Sequence, residues 1–320
     1  MLHSFRDYYR KAFVTDHPLI VLLGNLRAPS RFVKKLCYDQ ICGKIPGLSK
    51  TTPTQPANGT IDHNLVDSVT RQLKDRGIAI LPSYFAKEAK EIWDAVVESK
   101  EKWPVGDLYY RTFCGPFGHP AFPKVTLDET VLSIAAKHYD CQPYLRVGPC
   151  IAILNPENTT VTDSLDHPAG LKTWPWHIDT ANLLSFHVIL NDTGPEDTRM
   201  LFADESHKVH RSASGIRTEK NVRDRYKVTD CYGPQGTLYI FDNNGLHRPH
   251  AVAKSFRATY EFYFTPGNQI QNMEKMRGFV KADMGKKTHI SQGYGPGAFD
   301  NVLAPDDCSP LQREAVERLK

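Results

Sequence analysis

Two segments far apart in the chain carry side chains that could bind one transition metal. His177 and Asp179 stand two positions apart, so in an extended chain both point to one side, and Trp176 and Ile178 point to the other. Two imidazoles and one carboxylate can occupy one face of an octahedral iron(II) ion and leave three positions open. With His247 as the distant third ligand, the pattern predicts an iron site formed by His177, Asp179 and His247.

The choice of His247 rests on its neighbours, because His-x-Asp alone is a weak signal that often marks a surface histidine beside an aspartate. Gly245 allows the backbone to approach closely, and Arg257 follows His247 by ten residues. His250 is the alternative, either as the ligand or as a residue at the rim of the site. The other histidines considered are weaker candidates, namely His187, His207 and His210.

A polar face on a later strand predicts how a cosubstrate is held. Side chains alternate along 257–264, so Arg257, Thr259 and Glu261 share one face. A charge on a core-like strand is costly unless it is paired. The dicarboxylate 2-oxoglutarate provides a partner if Arg257 binds its distal carboxylate bidentately and the Thr259 hydroxyl donates a further hydrogen bond. The alternative is an exposed face on which Arg257 pairs with Glu261.

The pattern of apolar residues favours a mainly β domain with flanking helices. Residues 65–73 have helical spacing behind the candidate cap Asp62, and Gly77 ends that helix. A short buried strand at 78–81 and a second helix at 86–100 follow. No helices alternate with the later strands, so a sandwich or jelly roll is expected and a doubly wound parallel sheet is not. The later β-rich runs are 144–154, 183–190, 237–241 and 257–264.

An uneven charge distribution predicts an N-terminal extension. The net charge is +4, yet residues 1–60 contain nine Lys or Arg against three Asp and end in a linker-like stretch. Residues 61–320 are then one domain with a C-terminal tail rich in Gly, Pro and Asp and a closing helix at 311–319. The extension fits a solvated face, a docking site for an acidic partner or an organellar address, but Asp7 and Asp16 weigh against a transit peptide.

Cysteine spacing and hydropathy argue against several classes of protein. The seven cysteines are scattered and form no Cys-x-x-Cys pair, which predicts neither a disulfide framework nor a structural zinc site. A reducing, cytoplasmic compartment is therefore expected. The sequence shows no membrane-spanning run and no aromatic-basic interleaving typical of a nucleic-acid platform. We expect a small-molecule substrate as the partner, with no membrane or nucleic acid, and the oligomeric state is left open.

Taken in this order, the motifs resemble the iron(II)/2-oxoglutarate dioxygenases of the phytanoyl-CoA dioxygenase-like type. The resemblance covers residues 64–266, and the segments before and after it have no clear counterpart. One departure is Glu205, where the family's turn usually has glycine before Ser-His. The matching segments are the helix and strand at 65–82, the metal arm at 176–179, a strand and a turn at 186–192 and 200–208, and the strand at 236–242 with His247 and Arg257.

The resemblance implies a double-stranded β-helix with helices packed on one face. It also implies that iron(II), 2-oxoglutarate and O2 are used together, with release of succinate and CO2 as a substrate is oxidised. Related halogenases have a small residue at the position of Asp179. The carboxylate here implies hydroxylation instead, or desaturation, ring closure or epimerisation.

The basic segment 207–227 suggests how a substrate is bound. It holds seven Lys or Arg against two acidic residues and precedes the second metal strand, so it could cover the barrel mouth as a mobile lid for an anionic substrate. The alternative is a solvated loop. The residues proposed for the lid or the walls of the substrate site are Arg217, Arg223, Arg225, Arg146 and Trp174.

Two other functions fit part of the pattern. A metal-binding β-sandwich without oxygenase activity would form no succinate and would not need Arg257. A hydroxylase of a protein or nucleic acid would use the basic N-terminus for docking.

Overall fold

The computed structural model describes residues 61–98, 109–113, 119–140, 143–154, 176–178, 183–208, 219–252, 255–266 and 290–294. The predicted extension at 1–60 and the predicted closing helix at 311–319 lie outside these segments. None of the helices in the described segments is both long and apolar enough to cross a bilayer.

In the described segments, helices flank ten short to medium strands. The helices are α1 (His63–Arg76), α2 (Ala86–Glu98), α3 (Ala121–Thr126), α4 (Glu129–Tyr139) and α5 (Glu219–Arg223), with a 3-10 turn at Ser206–Lys208. The strands are β1 (Ile78–Leu81), β2 (Tyr109–Phe113), β3 (Pro143–Leu154), β4 (Leu184–Ile189), β5 (Arg199–Ala203), β6 (Val228–Cys231), β7 (Leu238–Asp242), β8 (His247–His250), β9 (Arg257–Pro266) and β10 (Ile290–Tyr294).

The first helix begins and ends where the sequence predicts. A carboxylate oxygen of Asp62 accepts a hydrogen bond from the Leu65 amide at 3.0 Å, which satisfies one free amide of the first turn. Gly77 ends the helix in the left-handed conformation at φ 84°, and its amide donates to the Leu73 carbonyl. The cap at Asp62 and the left-handed Gly77 each contact residues within about one helical turn, so both helix ends can be predicted from the local sequence.

The strands form two sheets. The larger sheet has the order β1-β7-β4-β9-β3-β2-β10, and the smaller sheet has the order β6-β5-β8. All the neighbouring strands pair antiparallel except β10, which runs parallel to β2. Strand β10 lies in the predicted Gly- and Pro-rich tail, and its residues Ile290–Tyr294 join the larger sheet.

Side chains on the two sheets form three layers of packing. One face of the larger sheet packs against the helices through Phe186 and Phe262. The other face packs against the smaller sheet, where Tyr239 and Phe241 meet Phe202. We call the two sheet faces that look toward each other the inner face. The outer side of the smaller sheet has its own apolar cluster, formed by Trp176, Leu201, Ala203, Val222 and Leu246.

The four longer β-rich runs predicted from the sequence are strands β3, β4, β7 and β9. Strands β6 and β8 are not predicted by the sequence, because Val228–Cys231 and His247–His250 lack the continuous apolar run that marks β1. They become strands because they pair with the two edges of β5. The smaller sheet is therefore a product of long-range pairing.

The turn after β5 predicts a stabilising substitution, Glu205→Gly. Glu205 has φ 65°, a left-handed conformation that costs a residue with a Cβ about 1–2 kcal/mol. Its amide is held by the Arg76 carbonyl at 2.7 Å, so the conformation is fixed by the fold. Glycine removes this cost but adds disorder to the unfolded chain, and we expect a net gain of up to about 1 kcal/mol in the free energy of unfolding.

Urea unfolding of the purified protein measures this gain. Glu205→Ala is the matched control, because it keeps the strained backbone and removes only the exposed contact with Lys208. If the glycine variant is no more stable than the alanine variant, the strain assigned to this turn is wrong.

Candidate metal centre

His177 and His247 are brought together by a two-residue backbone bridge. The His177 amide donates to the His247 carbonyl at 3.1 Å, and the His247 amide donates to the His177 carbonyl at 3.0 Å. Residues that face each other in this way project to the same side of the strands. The ring centroids are 4.5 Å apart with the ring planes at 53°. The two imidazoles are therefore placed where their nitrogens can approach one ion.

The environment of His247 determines which of its nitrogens can bind a metal. The residue is 2% exposed, and its Nδ1 lies 3.0 Å from the Gly245 carbonyl oxygen. A carbonyl oxygen only accepts hydrogen bonds, so Nδ1 carries the proton and Nε2 carries the lone pair. A backbone carbonyl behind the ring is the usual way in which a ligating histidine is oriented.

Strand alternation separates His247 from His250. His247 pairs with Phe202, whose ring lies on the inner face, whereas His250 pairs with Arg199 on the opposite side of the smaller sheet. The structure thus places His247, and not His250, beside His177. Of the weaker candidates, His187 lies on the inner face of β4, and the Nε2 atom of His207 lies 3.1 Å from the Lys74 carbonyl oxygen. His210 lies outside the described residues.

Gly245 is required at its position for a reason that the sequence only suggested. A Cβ at Gly245 would lie 2.2 Å from the Phe202 Cζ atom, so the backbone beside His247 passes directly against that ring. The carbonyl that orients His247 belongs to the same residue. A larger side chain there would displace the acceptor of the His247 Nδ1 proton.

The described donor set consists of two imidazoles, which suit iron, zinc, copper and nickel. Within the described segments, no group of three histidine, cysteine or acidic side chains could hold a metal ion. Asp179, the predicted third ligand, lies outside those segments and stays a prediction, as does Trp174. Cys231 is on the inner face, and burial raises the pKa of its thiol well above the ordinary value.

The polar face of β9 is buried and lies on the inner side of the larger sheet. Thr259 pairs with the inward-facing Ile189, and Glu261 pairs with His187. Arg257 is 2% exposed and Glu261 is 1% exposed. The alternative of a solvent-exposed face therefore does not describe this strand. A buried guanidinium on the face that also carries His247 is a fixed positive charge suited to a carboxylate.

The hydroxyl of Thr259 contacts the Glu261 carboxylate in the structure. It donates to a Glu261 carboxylate oxygen at 2.9 Å, and the Ala152 carbonyl oxygen is its other neighbour at 3.4 Å. Both neighbours only accept hydrogen bonds, so the single hydroxyl proton is directed at the protein. In this arrangement Thr259 orients Glu261, and its role as a further donor to the cosubstrate stays a prediction.

Glu261 is the centre of a buried hydrogen-bonding group that sequence reasoning named only as an alternative partner of Arg257. The Tyr263 hydroxyl donates to one carboxylate oxygen at 2.8 Å, and His187 Nδ1 lies 3.2 Å from the other. His187 Nδ1 is also 3.1 Å from the Tyr239 hydroxyl. Alternation predicted which β9 residues share a face, but His187 and Tyr239 come from other strands and could be found only from the sheet order.

The part of the basic segment at α5 and the turn after it lies on the outer side of the smaller sheet. Val222 of α5 is buried against Leu201 and Leu246, on the outer side of the smaller sheet. Arg223 and Arg225 are exposed on this helix and the turn after it, so they lie on the side opposite the inner face. The structure therefore gives no support to a lid role for these two residues. Arg217 is outside the described residues, and the Arg146 side chain is not among those described.

No protein-family model matches the sequence, and no curated protein matches it either. The solved structures that are similar to this chain include SnoN and EctD. The non-heme alpha ketoglutarate dependent epimerase SnoN from nogalamycin biosynthesis has a TM-score of 0.52 at 13% identity, covering 64% of this chain and 84% of SnoN. The apoform of EctD from S. alaskensis has a TM-score of 0.52 at 15% identity, covering 70% of this chain and 84% of EctD.

At these identities the likeness establishes the fold, and neither structure distinguishes the phytanoyl-CoA dioxygenase-like type, which stays a prediction. The mainly antiparallel sheets, the helices on one face and the likeness to SnoN and EctD all indicate the same fold. The chain has the double-stranded β-helix fold that the sequence predicted.

Proposed function

We propose that this protein is an iron(II)- and 2-oxoglutarate-dependent oxygenase that hydroxylates a small organic molecule. The observation that carries the proposal is the pairing of His177 with His247 on the inner face that also presents the buried Arg257. Two imidazoles suit an iron ion, and a buried guanidinium suits a carboxylate. SnoN, which shares the fold, is an alpha ketoglutarate dependent enzyme, and the same cosubstrate fits the groups present here.

Each of these residues has a separate role. His177, His247 and the predicted ligand Asp179 would hold iron(II) through two ring nitrogens and a carboxylate oxygen. Arg257 would bind the distal carboxylate of 2-oxoglutarate. When bound, iron(II) and 2-oxoglutarate supply the activation of O2, which converts the cosubstrate into succinate and CO2 and oxidises the substrate.

The apolar residues of the inner face keep water away from this chemistry. Ile189, Met200, Phe202 and Phe241 form one buried cluster between the two sheets. Excluding water strengthens the attraction between Arg257 and a bound carboxylate, because the local dielectric is lower than that of bulk solvent. The chain itself therefore supplies binding, orientation and a dry site.

Glu261 raises an electrostatic question, since a carboxylate on the same face competes with 2-oxoglutarate for Arg257. The hydrogen bonds of the Glu261 carboxylate reduce this competition. Thr259 and Tyr263 donate to Glu261, and His187 lies within 3.2 Å of it. These partners stabilise the carboxylate, so Glu261 does not need the Arg257 guanidinium as its main partner. Arg257 can then serve as the group that binds the cosubstrate.

The substrate is proposed to be small because the residues that carry the function lie between two sheets. The basic segment suggests that the substrate is anionic. The position of Arg223 and Arg225 on the outer side of the smaller sheet does not add support for this. SnoN is an epimerase, so the fold does not decide between hydroxylation and related outcomes. The carboxylate of Asp179 argues against halogenation, and among the outcomes that remain hydroxylation is the one we propose.

Anaerobic titration of the purified chain with iron(II) and then 2-oxoglutarate tests the proposal. We expect a weak visible charge-transfer band, followed by succinate when O2 is admitted. A protein that only binds metal would take up iron but form neither the band nor succinate. That outcome, or the absence of iron binding, would exclude the proposed function.

A further inference from the structure

The residues next to the two histidines lie on the outer side of the smaller sheet and contact each other there. Trp176 precedes His177, and Arg248 follows His247, so alternation directs both away from the inner face. Trp176 is fully buried, and Arg248 is 1% exposed. The Arg248 guanidinium lies over the Trp176 ring, 5.6 Å from its centroid. The two histidine-bearing segments are thus in contact on both sides of the sheet.

The carboxylate of Glu219 joins this pair. One oxygen of Glu219 accepts a hydrogen bond from Trp176 Nε1 at 2.6 Å and lies 3.0 Å from an Arg248 amino nitrogen. The other Glu219 oxygen pairs with Arg223, which is exposed. Glu219 begins α5, and that helix is anchored on the same outer side through the buried Val222. Glu219 is therefore held by the fold and not only by its hydrogen bonds.

We propose that Glu219 is a positioning residue, which fixes the separation of His177 and His247 by holding Trp176 and Arg248 together. This inference rests on the proposed metal site. A metal ion needs its ligands to be placed within about 0.5 Å, and side chains behind the ligands provide that precision. The backbone bridge sets the register of the two histidines, and the carboxylate on the far side keeps the bridging segments from separating or rotating.

The physical reason for a large effect is the burial of Arg248. A buried guanidinium that loses its pairing with the Glu219 carboxylate shifts toward its remaining acceptors or toward water. Either response displaces the residue next to His247 and releases the Trp176 ring beside His177. Groups that orient metal ligands in this way change metal affinity by about 10- to 100-fold when they are removed.

The test compares iron(II) affinity in three variants of the full chain under anaerobic conditions. Glu219→Ala is expected to raise the Kd for iron(II) by about 10- to 100-fold. Glu219→Gln keeps an oxygen that can accept from Trp176 and Arg248, so it should recover part of the affinity. Arg223→Ala is the matched control, because it removes the exposed partner of Glu219 and leaves the other contacts in place.

Unfolding of the metal-free protein by urea is measured in parallel, with the Kd taken for the folded fraction only. If Glu219→Ala loses stability but binds iron(II) as the wild type does, Glu219 is merely structural and the positioning role is overturned. If Glu219→Ala does not fold, the Gln variant decides, and an unchanged Kd in it overturns the role equally. If the wild type binds no iron(II), both the metal site and the positioning role are overturned.

Discussion

Replacing His247 by alanine is expected to weaken iron(II) binding by at least about a hundredfold, because removing a ligand exceeds the 10- to 100-fold effect of losing a group that orients one. Its Nδ1 proton is held by the Gly245 carbonyl, which presents Nε2 as the metal-binding atom. The two ligands that remain, the bridged partner His177 and the predicted ligand Asp179, cannot hold the ion with comparable affinity. His247→Ala should therefore abolish the visible band formed with 2-oxoglutarate as well.

His250→Ala provides the matched control for this prediction. It removes a histidine from the same strand, three residues away, but from the opposite face of the smaller sheet. Iron(II) affinity should stay within about twofold of the wild type, as expected for a substitution away from the site. Calorimetric titration under anaerobic conditions measures both variants. If His250→Ala loses iron and His247→Ala keeps it, the assignment of the second metal strand is wrong.

Arg257→Gln is expected to weaken 2-oxoglutarate binding to the iron-loaded protein by about 2–5 kcal/mol, the range for losing one partner of a buried charge pair. This corresponds to an increase in Kd of about 30- to 4,000-fold. The guanidinium is buried on the inner face, so no solvent cation can replace it. Iron(II) affinity should change little, because Arg257 is not a metal ligand.

Because Arg257→Gln should weaken 2-oxoglutarate binding and leave iron(II) affinity largely unchanged, it tests the cosubstrate site separately from the metal site. Arg257→Lys should give an intermediate Kd, since lysine keeps the charge but loses the planar pair of donors. Arg199→Gln is the control, because Arg199 pairs with Asp230 on the smaller sheet, away from β9. The band measured against 2-oxoglutarate concentration gives each Kd. An Arg257→Gln protein that binds iron(II) and has the wild-type Kd for 2-oxoglutarate would show that the cosubstrate is held elsewhere.

The sequence determined those features that depend on near neighbours. The cap at Asp62 and the left-handed Gly77 fix the ends of α1, because each acts within one turn of helix. Alternation along β9 put Arg257 and Glu261 on one face, and alternation around His177 directed Trp176 away from the metal side. These periodicities follow from the geometry of an extended chain.

Only the tertiary structure decided which residues from distant segments meet. The bridge between His177 and His247, the group around Glu261 and the contacts of Glu219 each join segments that the sequence leaves unconnected. Alternation says that two residues share a side, but it does not say which side is inward or which strand lies opposite. That information comes from sheet order and register, which the packing of the whole chain selects. For the same reason the sequence could not show that α5 packs on the outer side of the smaller sheet, behind the two histidines.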